Sequence, residues 1–367
     1  MKSLATLGNE LYSAKTSIPF VGKRRIWYLI AVVVIAGSAA LLALVGLTPG
    51  IDFKGGSEIT VTGLSSPSER PANEVLSKED MTAGSSVTTM GSSSVRVQTS
   101  QLSKERLDSL AGELATAYKT DASNVSATTV GPTWSSDVTK KAARGLVLFF
   151  IFVGLLIWVY FRTWKMAAAA LLALCHDVVV TVGIYALSGF EVTPATIIGV
   201  LTILGYSLYD TVVVFDKIRE NTDGFEAQSR STYAELANLA VNQTFIRSIN
   251  TSVVGVLPVA SLLVVGAFIL GAGTLRDIAL TLFIGMIAGT LSSIFLATPL
   301  LVDLRSREKA IKDQADKVAA ARQQRREEAG DDVEELAKID AAPAASPVTP
   351  GHHLGVAAQP KRKKKRR

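Results

Sequence analysis

Acidic side chains inside apolar stretches are the residues of this sequence that could do chemistry. Asp210 lies in the second half of residues 195–221, a stretch that begins long and apolar enough to enter a bilayer. The preceding apolar stretch, residues 166–188, carries His176 and Asp177 near its middle. An ionised Asp at the centre of a membrane helix costs about 2.5–3.5 kcal/mol, so such residues usually face a partner helix or a wet cavity. We therefore predict a functional role for Asp177 and Asp210, as candidates for a proton relay.

A purely structural role for these side chains stays open, because polar residues also hydrogen-bond membrane helices together. His176 could join the relay, or its imidazole could be satisfied by one backbone or Ser partner. Cys175, His176 and Asp177 occupy consecutive positions and point in different directions around a helix, so they cannot converge on one ion. The sequence predicts no metal site.

Polar residues extend from Asp210 along its helix. Tyr206 lies one turn earlier and Ser207 three residues earlier, on the face that continues toward Lys217. We expect Asp177, on the neighbouring antiparallel helix, to face this stripe. The end of the helix carries candidates for gating or coupling, although a solvated helix end with ion pairs worth under ~1 kcal/mol fits equally well. These residues are Asp216, Lys217, Arg219 and Glu220.

Composition and hydropathy indicate the solvent in which these residues work. The chain is 48% hydrophobic and 19% charged, with a mean hydropathy of +0.32, values that fit a multispanning membrane protein with a water-facing part. A single cysteine, Cys175, excludes a disulfide within the chain. Six stretches are predicted to cross the membrane: residues 26–47, 143–161, 166–188, 195–216, 250–270 and 277–302.

Basic residues predict the orientation of these stretches. Lys23, Arg24 and Arg25 precede the first stretch, which places residues 1–25 in the cytoplasm by the positive-inside rule. The stretch is longer than a signal-peptide core, so we interpret it as an uncleaved signal anchor; a cleaved signal peptide ending near Leu47 is the alternative. Six crossings then put both termini in the cytoplasm.

Residues 48–139 are more polar and would lie outside the membrane, on its outer side. Alternation over residues 58–61, 86–90, 94–99 and 124–130 predicts strands, and helical spacing of leucines follows Ser103. A further helix fits residues 74–81. The order βαββαβ is that of a small ferredoxin-like α+β domain.

The sequence leaves open the role of a glycine pair in the last stretch and the contact made by the tail. Gly285 and Gly289 form a GxxxG pair, which favours close packing within the chain over a dimer contact. Residues 303–367 form a charged tail, predicted helical to about Ile339, then rich in Ala and Pro. Its end, residues 361–367, consists of Lys and Arg alone, which suits binding to anionic lipid headgroups or to the ribosome, or a solvated tail.

Several motifs together resemble the SecD/SecF protein-export family. The run after the first stretch is similar to the family's GIDFxGG signature, and residues 205–221 are similar to its fourth-helix motif in SecF. Residues 175–177, 242–251 and 285–299 continue the resemblance in order, and the single small outer domain fits the SecF branch. Lys217 departs from a position where the family often has Arg. The signature residues are Gly50, Ile51, Asp52, Phe53, Gly55 and Gly56.

The resemblance implies a role for the segment that enters the fifth crossing. Gln243, Arg247 and Asn250 would be gating or coupling residues at its cytoplasmic end. Arg247 and Asn250 also fit a snorkelling anchor with a capping partner.

The resemblance further implies an RND-superfamily half that works in the bacterial cytoplasmic membrane. It would pair with SecD and act with the SecYEG channel, together with YajC and YidC, on unfolded preproteins, using the proton motive force after ATP-driven translocation. The sequence has no GxxxxGK[ST] loop, so we expect no ATP hydrolysis, no enzymatic activity and no cofactor besides protons. Two alternatives are an RND-like exporter of a small molecule or lipid, and a passive translocon scaffold.

Overall fold

The structure of the protein, a computed structural model, describes residues 4–266 and 273–330. The elements follow in chain order: α1 Leu4–Tyr12, α2 Arg24–Leu44, β1 Thr48–Pro49, α3 Ile51–Lys54, β2 Gly56–Val61, α4 Arg70–Lys78, β3 Ser86–Met90, β4 Ser94–Thr99, α5 Lys104–Ala117, β5 Val125–Val130, α6 Pro132–Phe161, α7 Trp164–Ser188, β6 Glu191–Val192, α8 Pro194–Asn221, α9 Tyr233–Val264, α10 Gly273–Ser292, α11 Thr298–Arg305 and α12 Lys309–Ala329.

Six helices in the described part of the chain are long and apolar enough to cross a membrane. They are α2, α6, α7, α8, α9 and a continuous helix that joins α10 to α11 through a π-helical turn, Ser293–Ala297. This number of membrane-crossing helices agrees with the sequence prediction.

Several helix bounds differ from the predicted ones. Helix α6 begins at Pro132 rather than near residue 143, and α9 begins at Tyr233 rather than near residue 250. Hydropathy detects only the apolar part of a helix, whereas the polar first turns are set by capping: Pro at the start of α6, and a capping box at the start of α9. Helix α2 likewise lies two to three residues earlier than residues 26–47, and α4 begins four residues before residue 74.

The sixth crossing also begins earlier than predicted. The predicted turn before the sixth crossing extends to Arg276, but α10 already begins at Gly273. The predicted end of the fifth crossing at residue 270 lies outside the described residues.

Helix α7 forms the centre of the helical bundle. Its buried alanines, among them Ala169, Ala170 and Ala173, let neighbouring helices approach closely. Helices α8 and α10 pack beside it, whereas α2 and α6 leave most of their apolar side chains exposed at the periphery. The buried faces that carry Asp177 and Asp210 therefore lie inside the bundle.

The polar region contains a four-stranded antiparallel sheet of order β3-β4-β2-β5, with α4 following β2 and α5 following β4. Alternating residues of the central strands pair in register, Ile59 with Val97 and Val61 with Val95, and are fully buried. Leucines of α5, such as Leu110 and Leu114, complete this separate core. A short parallel pair, β1 with β6, joins the end of the first crossing to the turn between α7 and α8.

The first part of the charged tail is packed rather than solvated. Helix α12 lies against the loop between α8 and α9, where Gln314 Nε2 donates to the Ser231 carbonyl at 2.7 Å. Arg322 donates both Nη atoms to the carboxylate of Glu235, at 2.9 and 2.8 Å. The predicted Ala- and Pro-rich linker and the basic residues 361–367 lie outside the described residues.

Candidate functional site

Asp177 is buried inside the bundle and is held by two neighbours. Its side chain is 1% exposed, and Ser207 Oγ of α8 donates to its Oδ2 at 2.6 Å. His176 Nδ1 lies 3.2 Å from Asp177 Oδ1, so the imidazole reaches the same carboxylate despite its consecutive position. Helix α7 positions this pair between an extended Thr163 at its start and a left-handed Gly189 at its end.

Asp210 is buried on α8 and accepts two hydroxyl donors from two other helices. Ser248 Oγ of α9 donates to Oδ1 at 2.7 Å, and Ser293 Oγ donates to Oδ2 at 2.6 Å. Ser293 is the first residue of the π-helical turn, a local widening that often occurs at functional sites. One carboxylate thus ties three helices together.

The two carboxylates are linked through α8 rather than directly. Among the described residues no hydrogen bond joins Asp177 to Asp210; Asp177 contacts Ser207, which lies three residues before Asp210 and one helical turn away. Ser207 belongs to the polar stripe seen in the sequence. Asp177 therefore contacts the stripe, as predicted, but the contact is with Ser207, one helical turn before Asp210.

The electrostatics of the site differ from those of a salt bridge. Within the described residues, no Lys or Arg forms an ion pair with either carboxylate; hydroxyls and one imidazole are the partners. Burial penalises a carboxylate's charge, and hydrogen bonds to the charged form offset part of that penalty. A hydroxyl can turn and act as donor or acceptor, so the site can accommodate a neutral or an ionised carboxyl group.

The GxxxG pair packs α10 against this part of α8. A Cβ on Gly289 would lie 2.7 Å from Ser207 Cβ, and one on Gly285 would lie 2.3 Å from Ile203 Cδ1. Neither position has space for a side chain. The contact lies within the chain, as the favoured interpretation of the motif requires, and it brings Ser293 within reach of Asp210.

The remaining residues of the stripe take other roles. Tyr206, half-buried, donates its hydroxyl to the Thr251 carbonyl of α9 at 3.1 Å. Thr202, which precedes Tyr206 by one turn on the same face of α8, is exposed and donates its hydroxyl to the Ile198 carbonyl on its own helix. These two side chains do not contact either carboxylate.

The charged end of α8 lies apart from the buried carboxylates. Lys217 Nζ pairs with Glu220 Oε1 at 2.6 Å and lies 6.0 Å from the centre of the Tyr12 ring. Asp216 is exposed and accepts the Tyr160 hydroxyl at 3.5 Å, and Arg219 is exposed. This geometry fits the solvated helix end with an internal ion pair.

The residues at the entry to the fifth crossing are also near the surface. Gln243 Oε1 accepts a hydrogen bond from Asn221 Nδ2 at 2.9 Å, and its Nε2 donates to the Tyr12 carbonyl at 3.3 Å. Arg247 Nη2 is 3.4 Å from the Tyr209 hydroxyl, and Asn250 is exposed. None of these three predicted residues contacts Asp177 or Asp210.

The glycine-rich signature builds the junction between the first crossing and the sheet. Gly50 N–H donates to the Val192 carbonyl at 2.9 Å. Gly56 has φ +138°, and a Cβ there would lie 2.6 Å from the Thr99 carbonyl oxygen, so only glycine fits. Burial raises the pKa of the Asp52 carboxyl, and the nearby Arg96 opposes this shift. Ile51 is buried and Phe53 half-buried in the same turn.

Sequence reasoning missed Ser248 and Ser293, the two donors to Asp210. Serine is common in membrane helices, so neither residue stands out, and only the packing of three helices brings both onto one carboxylate. It also missed a polar junction beneath the sheet, formed by Glu58, Arg96, Gln98 and Glu191. The available signal there was Glu191, a carboxylate in the tight turn of an apolar hairpin.

Comparisons with known proteins agree with the motifs. Residues 111–307 match the family described as protein export membrane protein SecD/SecF, C-terminal, and residues 40–62 match the SecD/SecF GG motif. The chain is 44% identical over 324 residues to the protein translocase subunit SecF of Streptomyces coelicolor, covering 88% of this chain and 86% of that protein. It is 44% identical over 330 residues to the protein translocase subunit SecF of Mycobacterium leprae, covering 86% and 70%.

A solved structure shares the fold. The chain is similar to the crystal structure of SecDF, a translocon-associated membrane protein from Thermus thermophilus, with a TM-score of 0.71 and 31% identity. The match covers 80% of this chain but only 39% of that one, so the chain spans well under half of the fused protein.

Proposed function

Because the chain belongs to the SecD/SecF family of protein-export membrane proteins, we propose that it is a SecF-type accessory subunit of the Sec translocon that couples proton movement to preprotein export. It is a multi-pass membrane protein. The observation that carries the proposal is the pair of buried carboxylates, Asp177 and Asp210. Asp177 accepts Ser207, three residues before Asp210 on α8, and neither carboxylate forms an ion pair with a Lys or Arg among the described residues.

Proton exchange at these groups would alter the contacts between helices. When Asp210 is ionised, it accepts Ser248 and Ser293 from two other helices. Hydrogen bonds to a charged group are worth about 1.5–3 kcal/mol, more than those to a neutral one, so protonation weakens the tie between α8, α9 and the π-helical turn. Proton uptake from one side and release to the other would thus change how these helices pack. No enzymatic activity and no cofactor besides protons are needed.

The β2–β5 sheet with α4 and α5 is, in this proposal, a ferredoxin-like domain on the outer side of the bacterial cytoplasmic membrane. Its strand order, β3-β4-β2-β5 with all neighbours antiparallel, supports the fold assignment. Basic residues before α2 and in the loop between α6 and α7 support cytoplasmic termini.

SecD is the proposed obligate partner. The fused SecDF structure supports it, because this chain corresponds to only 39% of that protein. The SecYEG channel, YajC and YidC, and an unfolded preprotein as the cargo, complete the proposed assembly. Anionic lipid or the ribosome remains the proposed contact of the basic tail.

Vesicles that contain this chain, SecD and the channel can test the proposal. Asp177→Asn and Asp210→Asn are expected to abolish the proton-dependent part of preprotein export at normal protein abundance. Asp223→Asn, at an exposed position just after the same helix, is the control and should retain it. Full export activity of both Asp177→Asn and Asp210→Asn would contradict proton coupling and would favour a passive scaffold. Proton flux stimulated by a small molecule, without SecD or the channel, would instead favour a small-molecule exporter.

A further inference from the structure

The turn between α7 and α8 carries a buried carboxylate that the proton site does not use. Glu191 is 8% exposed, and its Oε2 accepts two donors: Arg96 Nη1 at 3.1 Å and Gln98 Nε2 at 2.9 Å. Both donors belong to β4, a central strand of the outer sheet. A single side chain therefore connects the helical hairpin to the sheet.

The backbone makes a second connection at the same place. Strand β6 pairs in parallel with β1, with Thr48 opposite Glu191 and Pro49 opposite Val192. The Gly50 N–H extends this pairing by donating to the Val192 carbonyl. The chain runs from β1 through α3 into β2, which pairs with β4. The turn is thus fixed to the sheet by both main chain and side chains.

The helices on either side of this turn are the two that carry the proton site. Asp177 lies on α7 and Asp210 on α8, and both helices run unbroken to the turn. At 1.5 Å per residue, Asp177 is about 17 Å below the end of α7. The turn is short and ordered by a capping box between Thr193 and Thr196. Movement of the hairpin therefore reaches Glu191 without a flexible segment in between.

We propose that Glu191, together with the β1–β6 pairing, is the joint that transmits movement of the α7–α8 hairpin to the outer domain. This inference rests on the proposed proton-coupled function and assigns the place where the coupling leaves the membrane. Glu191 acts as a positioning residue, since it contacts neither carboxylate of the proton site.

A second carboxylate beside Glu191 allows the effect on coupling to be distinguished from an effect on folding. Glu58 of β2 accepts Gln98 Nε2 at 2.9 Å and lies 3.4 Å from Arg96 Nε. When Glu191 is replaced, both donors keep a carboxylate partner inside the sheet, so the outer domain retains its charge balance. Glu58 is also the matched control: it shares the same two partners as Glu191, but it does not reach the hairpin.

The experiment measures proton flux and preprotein export in the same vesicles, with a pH-sensitive dye for the flux. Glu191→Ala is expected to retain proton flux and to lose proton-dependent export. Glu191→Gln should retain the flux and lose part of the export, and Glu58→Ala should retain both. Asp210→Asn should lose both, and if it retained both, the proposed function itself would fail. Two results for Glu191→Ala at normal abundance would contradict the proposed joint: unchanged export, or loss of proton flux together with export.

A reversible cross-link provides the second measurement. Pro49→Cys and Val192→Cys, made in a Cys175→Ser chain, place two thiols on paired residues of β1 and β6. In the Glu191→Ala background, oxidation is expected to restore export and a reductant to abolish it again. The same cysteine pair in a chain that keeps Glu191 tests whether the joint must open during the cycle. Loss of export on oxidation in that chain would overturn the proposal.

Discussion

At the scale of single residues, three hydroxyls rather than a cation hold the buried carboxylates. Ser207 donates to Asp177, while Ser248 and Ser293 donate to Asp210. Each hydroxyl comes from a different helix or turn, so each hydrogen bond is also a contact between helices. In the proposed function, proton binding and helix packing are coupled at these three atoms.

Replacing one of these serines should weaken the coupling without removing the carboxyl group. Ser293→Ala leaves Asp210 with Ser248 as its donor and removes a charge-assisted hydrogen bond worth about 1.5–3 kcal/mol. Proton-dependent export is expected to fall several-fold, short of the complete loss in Asp210→Asn. Export of a preprotein into vesicles, with and without a proton gradient, would measure this decrease. Ser261→Ala, an exposed serine that bonds only its own helix, should have no effect; equal loss in both variants would refute the assignment.

Asp52, in the turn before β2, gives a prediction on pH and stability. Burial raises the pKa of its carboxyl above the usual value near 4, so the folded state binds this proton more tightly than the unfolded state. Its contribution to stability is therefore complete below about pH 4 and is lost as the pH rises through the raised pKa.

Asp52→Asn should flatten this part of the pH dependence and raise the Tm at neutral pH. Thermal unfolding in detergent from about pH 4 to about pH 7 measures both effects. Asp108→Asn, an exposed residue of α5, is the control. Parallel curves for wild type and Asp52→Asn would show that Asp52 does not contribute.

At the scale of elements, close packing of α10 on α8 sets the geometry of the site. The two glycines of α10 leave space for Ile203 and Ser207, the side chains that project toward them. Small residues at such positions let helix backbones approach in a membrane, where the hydrophobic effect does not drive association.

Gly289→Ala should destabilise the bundle by about 1–3 kcal/mol, because its methyl group would overlap Ser207. Chemical denaturation in detergent, or abundance in membranes, would reveal the loss. Gly205→Ala is the matched control on α8, since a Cβ there would meet no atom within 4 Å outside the adjoining backbone of its own helix. An alanine in place of a helical glycine is normally favourable by up to about 1 kcal/mol. Similar stability of both variants would contradict the packing argument.

At the scale of the whole molecule, one face of the bundle exposes polar side chains at membrane depth. Tyr209 and Asn250 are exposed on α8 and α9, next to the level at which Ser248 contacts Asp210, and Thr202 is exposed two turns earlier on α8. Polar residues within membrane helices rarely face lipid. This face is therefore expected to be covered by a partner, and SecD is the proposed one.

Photo-cross-linking can identify what covers this face. A photoactivatable residue at position 202, 209 or 250 should form an adduct with coexpressed SecD. The same residue at Leu148, an exposed apolar position of α6, should react with lipid instead. SecD adducts at position 148, combined with none at the three polar positions, would place the interface elsewhere.

Local patterns in the sequence were sufficient for several features. Alternation over residues 94–99 corresponds to β4, the leucines of helical spacing after Ser103 lie in α5, and apolar length gave the six long helices. The buried carboxylates stand out because an acidic residue in an apolar run is energetically unusual. Such signals are properties of neighbouring residues, so they can be read without a fold.

Tertiary structure alone decided which groups meet. Asp210 accepts Ser248 and Ser293, from positions 38 and 83 residues further along the chain, and Glu191 accepts Arg96 and Gln98, 95 and 93 residues before it. No spacing rule connects such distant residues. Their hydrogen bonds depend on how close glycines let helices approach and on the register of β1 with β6. The sequence by itself determined which groups are costly to bury, and packing determined which partners stabilise them.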